Sequence, residues 1–89
     1  KPGYEAYEIS LSDSLEKMSG EVYTAKGNIK VDVDRTGKSV SVDTIDGEGT
    51  LYLPKTYSSS PKLASCSLVE TTDKEYVIKL SKGVNLISL

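Results

Sequence analysis

Apolar and polar residues alternate through the middle of this chain, and the alternation predicts a β-hairpin. Every second residue from Ile29 to Val33 is apolar, and Val40 and Val42 resume the pattern after a turn at residues 35–38. A period of two is typical of a strand with one face in the core. Antiparallel partners share a face of the sheet, so the register must set valine against valine. The predicted pairs are Val33 with Val40, Val31 with Val42, and Lys30 with Asp43.

Shorter segments on either side of this hairpin predict further strands. They cover residues 4–11, 21–25, 50–53, 63–70 and 75–80, with a last strand after Gly83. In the first strand a bulge is expected near Ala6, because the alternation changes parity there. The side chains expected to share one face of that strand are Tyr7, Ile9 and Leu11. Those expected to share one face of 63–70 are Ala64, Cys66 and Leu68.

The end of the chain predicts a second hairpin. Ser81 to Gly83 forms a three-residue loop in this interpretation, with Gly83 in the left-handed conformation that glycine adopts readily. The predicted pairs are Leu80 with Val84 and Ile78 with Leu86, with Val77 meeting Ile87 on the opposite face.

One segment departs from the period of two and predicts a short helical turn near residues 14–18. Asp13 followed by Glu16 resembles a capping box, and Leu15 and Met18 lie three residues apart. Gly20 is placed to end the helix.

These elements predict an all-β fold, a single sandwich of about eight mostly antiparallel strands of the jelly-roll or Greek-key type. A chain of 89 residues is expected to form one domain, 1–89, with residues 1–3 as a linker or domain entry. The first residue is Lys1 and the only methionine is Met18. We therefore expect the chain to be a processed product or a piece of something longer.

Composition restricts the classes of function. The chain has 11 basic and 13 acidic side chains and no basic stripe, so nucleic acid is not an expected partner. No apolar run is long enough to predict a membrane span. The sequence contains no histidine, the commonest general base and metal ligand. The single cysteine, Cys66, alternates with apolar residues and is expected to be a small buried hydrophobe. We predict a protein that is not an enzyme and carries no cofactor.

One pattern is compatible with calcium. Asp32, Asp34 and Thr36 occupy positions 1, 3 and 5 of a loop that has Gly37 at position 6 and Asp43 at position 12. Oxygen ligands at these positions are typical of a loop that wraps a calcium ion. The same residues are patterned as paired strands, however, and Asp is one carbon shorter than the usual Glu at position 12. Solvated acids on an outward strand face are therefore the favoured interpretation.

The tyrosines are the chain's only aromatic residues, and some of them must lie in the core. Tyr57, in a serine-rich segment, and Tyr52, opposite in parity to its leucine neighbours, are expected to be exposed. Exposed aromatic rings stack on sugars, so Tyr52 and Tyr57 are the candidate ligand-binding residues. Singly exposed tyrosines without a ligand are the more frequent case.

Five short segments of the chain together form a recognisable pattern. They are Ser14-Leu-x-x-Met-Ser-Gly-Glu-Val-Tyr-Thr-Ala-Lys-Gly27, then Ile29-x-Val-x-Val33, Val40-x-Val42, Gly49-Thr-Leu-Tyr-Leu-Pro54 and the closing Lys82-Gly83-Val84. In these segments the chain resembles the small C-terminal β-sandwich domain of α-L-rhamnosidase-type glycoside hydrolases. The resemblance implies no catalytic residue, because the acids of that family belong to its helical barrel. It implies an accessory module that packs on a catalytic domain and contacts polysaccharide.

We therefore expect a non-catalytic accessory or structural module of an exported carbohydrate-active enzyme or surface protein, secreted or at the cell surface. Its expected partners are a neighbouring catalytic or surface domain of the same polypeptide, and polysaccharide. The alternative is an extracellular structural or adhesion subunit that self-assembles by pairing of exposed strand edges, because the strands are rich in Ser, Thr and Val.

Overall fold

The computed structural model describes residues 7–24, 27–45 and 47–89, and these form nine β-strands and one short 3₁₀ helix. The strands are β1 (Tyr7–Ser10), β2 (Lys17–Thr24), β3 (Gly27–Asp34), β4 (Ser39–Asp43), β5 (Gly49–Pro54), β6 (Lys62–Ala64), β7 (Cys66–Thr71), β8 (Glu75–Leu80) and β9 (Val84–Ser88). The helix is Lys55–Tyr57. The predicted all-β class is confirmed, with nine strands instead of about eight.

The strands form two sheets that pack face to face. The four-stranded sheet has the order β1-β5-β8-β7, and the five-stranded sheet has the order β2-β3-β4-β9-β6. β1 runs parallel to β5, and the other described pairs are antiparallel. β1 and β2 lie along one lateral side of the sandwich, while β6 and β7, joined through Ser65, lie along the other.

The core lies between the sheets and consists of the inward-facing residues of the central strands. Every second residue of β3 and β4 is almost completely buried, since alternate side chains of a strand point to opposite faces. The predicted hairpin register is confirmed, with Val33 opposite Val40, Val31 opposite Val42 and Lys30 opposite Asp43. The most deeply buried aliphatic side chains are Ile29, Val31, Val33, Val40, Val42, Leu51, Leu53, Ile78, Leu80 and Ile87.

The predicted helical turn near residues 14–18 is wrong. Residues 12–15 form a single turn in which the Leu15 N–H bonds to the Ser12 carbonyl, and β2 begins at Lys17. Met18 faces Val33 across the ladder and packs against the core. A short isolated helix is marginal in water, so pairing with β3 determines the conformation of this segment. The predicted bulge near Ala6 lies outside the described residues.

The prediction of one strand over 63–70 is also wrong. Ser65 has a positive φ of +68°, and there the chain leaves one sheet for the other. Ala64 ends β6 on the outward face, opposite Leu86, whereas Cys66 and Leu68 face the same way as the buried residues of β8. The side chains of Ala64, Cys66 and Leu68, which were expected on one face of a single strand, therefore do not lie on a common face.

The predicted pairing of the last two strands is wrong as well. β8 pairs with β5 and β7, and β9 pairs with β4 and β6, so the two strands belong to different sheets. Gly83 has a positive φ of +93°, as expected. The inward residues of β9 are Asn85 and Ile87, and the outward ones include Val84 and Leu86.

A buried polar cluster explains this turn between sheets. The Asn85 amide donates to the carbonyls of Val42, Ser81 and Gly83 at 2.9 to 3.2 Å, and its oxygen accepts from the Ser81 N–H. Thr44 donates to the Ser81 carbonyl and accepts from the Gly83 N–H. Buried polar groups must form hydrogen bonds. The side chains of Asn85 and Thr44 form them with the backbone of the loop at residues 81–83, which a simple hairpin would expose to solvent.

Candidate functional site

Tyr57 lies in the interior and not on the surface, so its predicted exposure is wrong. Its relative exposure is 7%, and its hydroxyl donates to the Ser12 carbonyl at 2.6 Å. The Arg35 guanidinium lies over its ring at 4.1 Å from the centroid. Burial raises the pKa of the Tyr57 hydroxyl above its ordinary value of 10.0, and the nearby positive charge of Arg35 partly offsets this. The ring is therefore part of the scaffold.

Arg35 connects three segments at one end of the sandwich. Its guanidinium donates to the carbonyl oxygens of Asp13 (2.7 Å), Leu15 (3.2 Å) and Thr56 (3.2 Å). Its Nη1 also lies 3.7 Å from a carboxylate oxygen of Glu16. A planar guanidinium is suited to such multiple bonds in fixed directions. Because these donors are already used within the chain, Arg35 is a clamp and not a ligand-binding cation.

Tyr52 lies on the outward face of the four-stranded sheet. It is partly buried, with Ser10 and Val77 as its cross-strand neighbours. Since Tyr57 lies between the sheets, the two predicted ligand-binding tyrosines do not form one surface. Tyr52 alone could present a ring to a sugar, and a sugar site usually depends on more than one such contact.

The three predicted calcium ligands are outward-facing acids that the structure does not bring together. Their segment forms strand, turn and strand, so no loop wraps an ion. The described residues contain no group of three or more His, Cys, Asp or Glu side chains that could hold a metal ion. Each carboxylate instead accepts a local hydrogen bond: Asp32 from Ser19 Oγ (2.6 Å), Asp34 from the Gly37 N–H (2.9 Å) and Asp43 from the Ile45 N–H (2.8 Å).

Cys66 is partly buried at the start of β7 and packs against the core. Burial raises the pKa of its thiol above the ordinary value of 9.0. The thiolate is the reactive form of cysteine, so this environment makes the thiol less reactive.

The outward face of β9 carries an apolar surface that we call the β9 patch, formed by Val84, Leu86 and Ala64. Val84 is 51% exposed and Leu86 is 50% exposed. Ala64 is the partner of Leu86 on β6, and on the other side Leu86 faces Ser41 of β4. The predicted β8–β9 pairing gave no indication of this patch, because it set Val84 opposite Leu80 and Leu86 opposite Ile78.

Polar side chains border the β9 patch. On the outward face of the five-stranded sheet, Val84 lies beside Asp43 of β4. Leu86 lies beside Ser41 of β4, which in turn lies beside Asp32 of β3. An apolar centre with a polar rim is the usual anatomy of a protein–protein interface.

A second apolar surface lies along the opposite lateral side, where a cleft of about 250 Å³ separates β1 from β2. Its apolar lining residues are Ile9, Leu11, Leu15, Met18, Val22, Ile29 and Val31. Gly20 occupies the inward-facing position of β2 between Met18 and Val22, opposite Val31. A Cβ placed on Gly20 would meet no described atom within 4 Å, so the space above it is open. Its φ of +151° also favours glycine.

β7 is a third exposed element. Leu68 is 47% exposed and Val69 is 58% exposed, at the edge of the four-stranded sheet. The register shifts between Leu68 and Glu70, which marks a bulge or irregularity at Val69. Such irregularities hinder further strand pairing at an edge.

No family model, curated protein or solved structure matches this chain. Among the described residues there is no helix with the length and hydrophobicity needed to cross a membrane.

Proposed function

We propose that this chain is a non-catalytic accessory module of an exported carbohydrate-active enzyme or surface protein, which packs on a neighbouring domain of the same polypeptide through the β9 patch. The observation that carries the proposal is the outward orientation of Val84 and Leu86, each about half exposed. The carbohydrate-active and exported character rests on the resemblance described above.

The β9 patch has no role in the core of its own domain. Asn85 and Ile87 provide the inward face of β9, and both are almost fully buried. Burying an apolar side chain of this size completely is worth about 1.5–3 kcal/mol. Val84 and Leu86 are each about half exposed, so covering them would stabilise a contact by roughly 0.8–1.5 kcal/mol each. A neighbouring domain that covers them gains this stabilisation.

The test compares Leu86→Ser in the 89-residue domain and in the longer polypeptide that carries it. In the domain alone we expect a melting temperature within about 4 °C of the parent, because the side chain is outward. In the longer polypeptide we expect a clear additional decrease. Val69→Ser is the control, since Val69 is also an exposed apolar residue, at 58%, but lies on β7. Equal effects of Leu86→Ser in both contexts would contradict the proposal.

Polysaccharide contact is the second part of the expected role, and its candidate is Tyr52. An amide NMR titration with oligosaccharides, run on the parent and on Tyr52→Ala, tests it. Saturable shifts near Tyr52 that the variant abolishes would support sugar binding. An unchanged spectrum would limit the module to protein contacts.

Self-assembly through a strand edge is the second candidate function. It is favoured by β2, an eight-residue strand at the end of its sheet with no partner on its other edge among the described residues. Unpaired strand edges are templates for pairing with another chain.

A further inference from the structure

We propose that β2 pairs antiparallel with β2 of a second copy, in a register centred on Ser19, to give a two-fold symmetric dimer. This proposal rests on the second candidate function and makes it specific. It is independent of the accessory role assigned to the β9 patch, which lies on another part of the five-stranded sheet. Two-fold dimers are the commonest oligomers, and in them one surface must complement itself.

The backbone of β2 offers the correct groups at this edge. The Glu16 carbonyl accepts a hydrogen bond from the Arg35 N–H at 3.0 Å, on the side of β3. Hydrogen bonding alternates along an antiparallel strand, so the backbone groups of Lys17, Ser19 and Glu21 point toward the free edge. Pairing Ser19 with its symmetry mate, and Lys17 with Glu21, uses all three residues in about six backbone hydrogen bonds.

Charge selects this register. Lys17 and Glu21 each lie two residues from Ser19 on the exposed outward face. Centring the pair on Ser19 therefore sets Lys17 opposite Glu21 twice, which is favourable for cross-strand neighbours. A register centred two residues further along, on Glu21, would instead place two carboxylates opposite each other.

The inward face of β2 is complementary in the same register. Met18 of one copy would lie opposite Gly20 of the other, and the space above Gly20 is open. Methionine is unbranched and flexible, so it fills irregular gaps well. The two-fold symmetry repeats this contact, so Met18 of each copy occupies the open space beside Gly20 of the other.

The cleft between β1 and β2 gives the dimer an apolar centre. Ile9, Leu15 and Val22 line this cleft and are only partly buried in the single chain. Pairing of two β2 edges would bring both clefts to the same side of a continuous sheet. Apolar cavities of about 150 Å³ already accommodate a benzene-sized group, and this cleft measures about 250 Å³, which leaves room for side chains of the second copy.

Sedimentation equilibrium across micromolar to millimolar concentrations tests the proposal. We expect a monomer–dimer equilibrium. Lys17→Glu and Glu21→Lys should each raise the dissociation constant about tenfold, because each places like charges opposite each other twice. The double variant should restore dimerisation toward the parent value. Glu70→Lys on β7 makes the same charge change as Glu21→Lys, but away from the interface, and should not change the dissociation constant.

A backbone variant supports the same test. Ser19→Pro removes an N–H at the free edge, which the β2–β3 ladder does not use, so the monomer should stay folded while the dimer is lost. Circular dichroism checks the fold. A monomer at every concentration, or a dimer insensitive to the Lys17, Glu21 and Ser19 variants, would overturn the proposal. Loss of dimerisation in Leu86→Ser would likewise overturn it, and would assign self-association to the β9 patch.

Discussion

Tyr57 connects the 3₁₀ helix to the loop after β1, because its hydroxyl donates a hydrogen bond to the Ser12 carbonyl. Tyr57→Phe removes this bond, so that the Ser12 carbonyl keeps only the Leu15 N–H as a donor. We expect a decrease of about 0.5–1.5 kcal/mol in the free energy of unfolding, measured by urea denaturation. Tyr52→Phe on the outer sheet face is the control and should change little.

The same hydroxyl predicts a pH dependence. Burial raises the pKa of Tyr57 in the folded state above 10.0, so the unfolded chain releases this proton first. The stabilisation is therefore fully present below pH 10 and is lost as the pH rises through the higher folded-state pKa. Urea unfolding of the parent should show a decrease in stability over this range, and Tyr57→Phe should reduce the slope. An identical slope in both proteins would contradict the assigned environment.

Arg35 is the other residue with a defined structural role. Arg35→Lys keeps the charge but cannot reach three carbonyls in fixed directions, so we expect a loss of about 1–3 kcal/mol in thermal or urea unfolding. Lys30→Arg, on the exposed face of β3, is the matched control and should be neutral. Equal stability of the two variants would show that the clamp is not needed.

The contact between Tyr57 and Arg35 is one that the pattern of residues along the chain does not predict. Tyr57 lies in a segment rich in serine, which suggests exposure, but its ring packs in the core and against the guanidinium of Arg35, 22 positions away in the sequence. The period-two pattern carries no signal for such a contact. The three acids of the calcium pattern lie on outward faces, because their parity along the strands determines their face.

At the scale of elements, Asn85 determines how β9 leaves β8. Asn85→Ala removes hydrogen bonds to three carbonyls and leaves the Ser81 N–H without its acceptor. We expect a loss of about 2–4 kcal/mol in the free energy of unfolding. Ser88→Ala, outward on the same strand, should have little effect. A small loss in Asn85→Ala would contradict the role of the polar cluster.

The central hairpin was predictable to the residue, whereas the β8–β9 connection was not. The register follows from the valines alone, because a slip of one residue would expose all four of them: Val31, Val33, Val40 and Val42. In β9, apolar residues occupy both faces, so alternation cannot identify the inner one. Asn85 identifies the inner face of β9, although its polarity suggests exposure. Its buried hydrogen bonds form only once β4 and the loop at residues 81–83 have come together.

In the whole molecule, the strand order determines which surfaces the described residues leave uncovered. The two-sheet architecture followed from the number and spacing of the strands, but the order of strands did not, since it depends on long-range pairing such as β1 with β5. The β9 patch and the free edge of β2 are consequences of that order. Neither surface could therefore be located from the sequence.

We propose that the β9 patch contacts a neighbouring domain, and hydrogen exchange of backbone amides tests this contact. Exchange is compared between the 89-residue domain and a longer polypeptide in which the domain is joined to its proposed neighbour. We predict slower exchange in β9 and its neighbours β4 and β6 within the longer polypeptide, with β8 unchanged as an internal reference. Identical exchange of β9 in both contexts would contradict the claim.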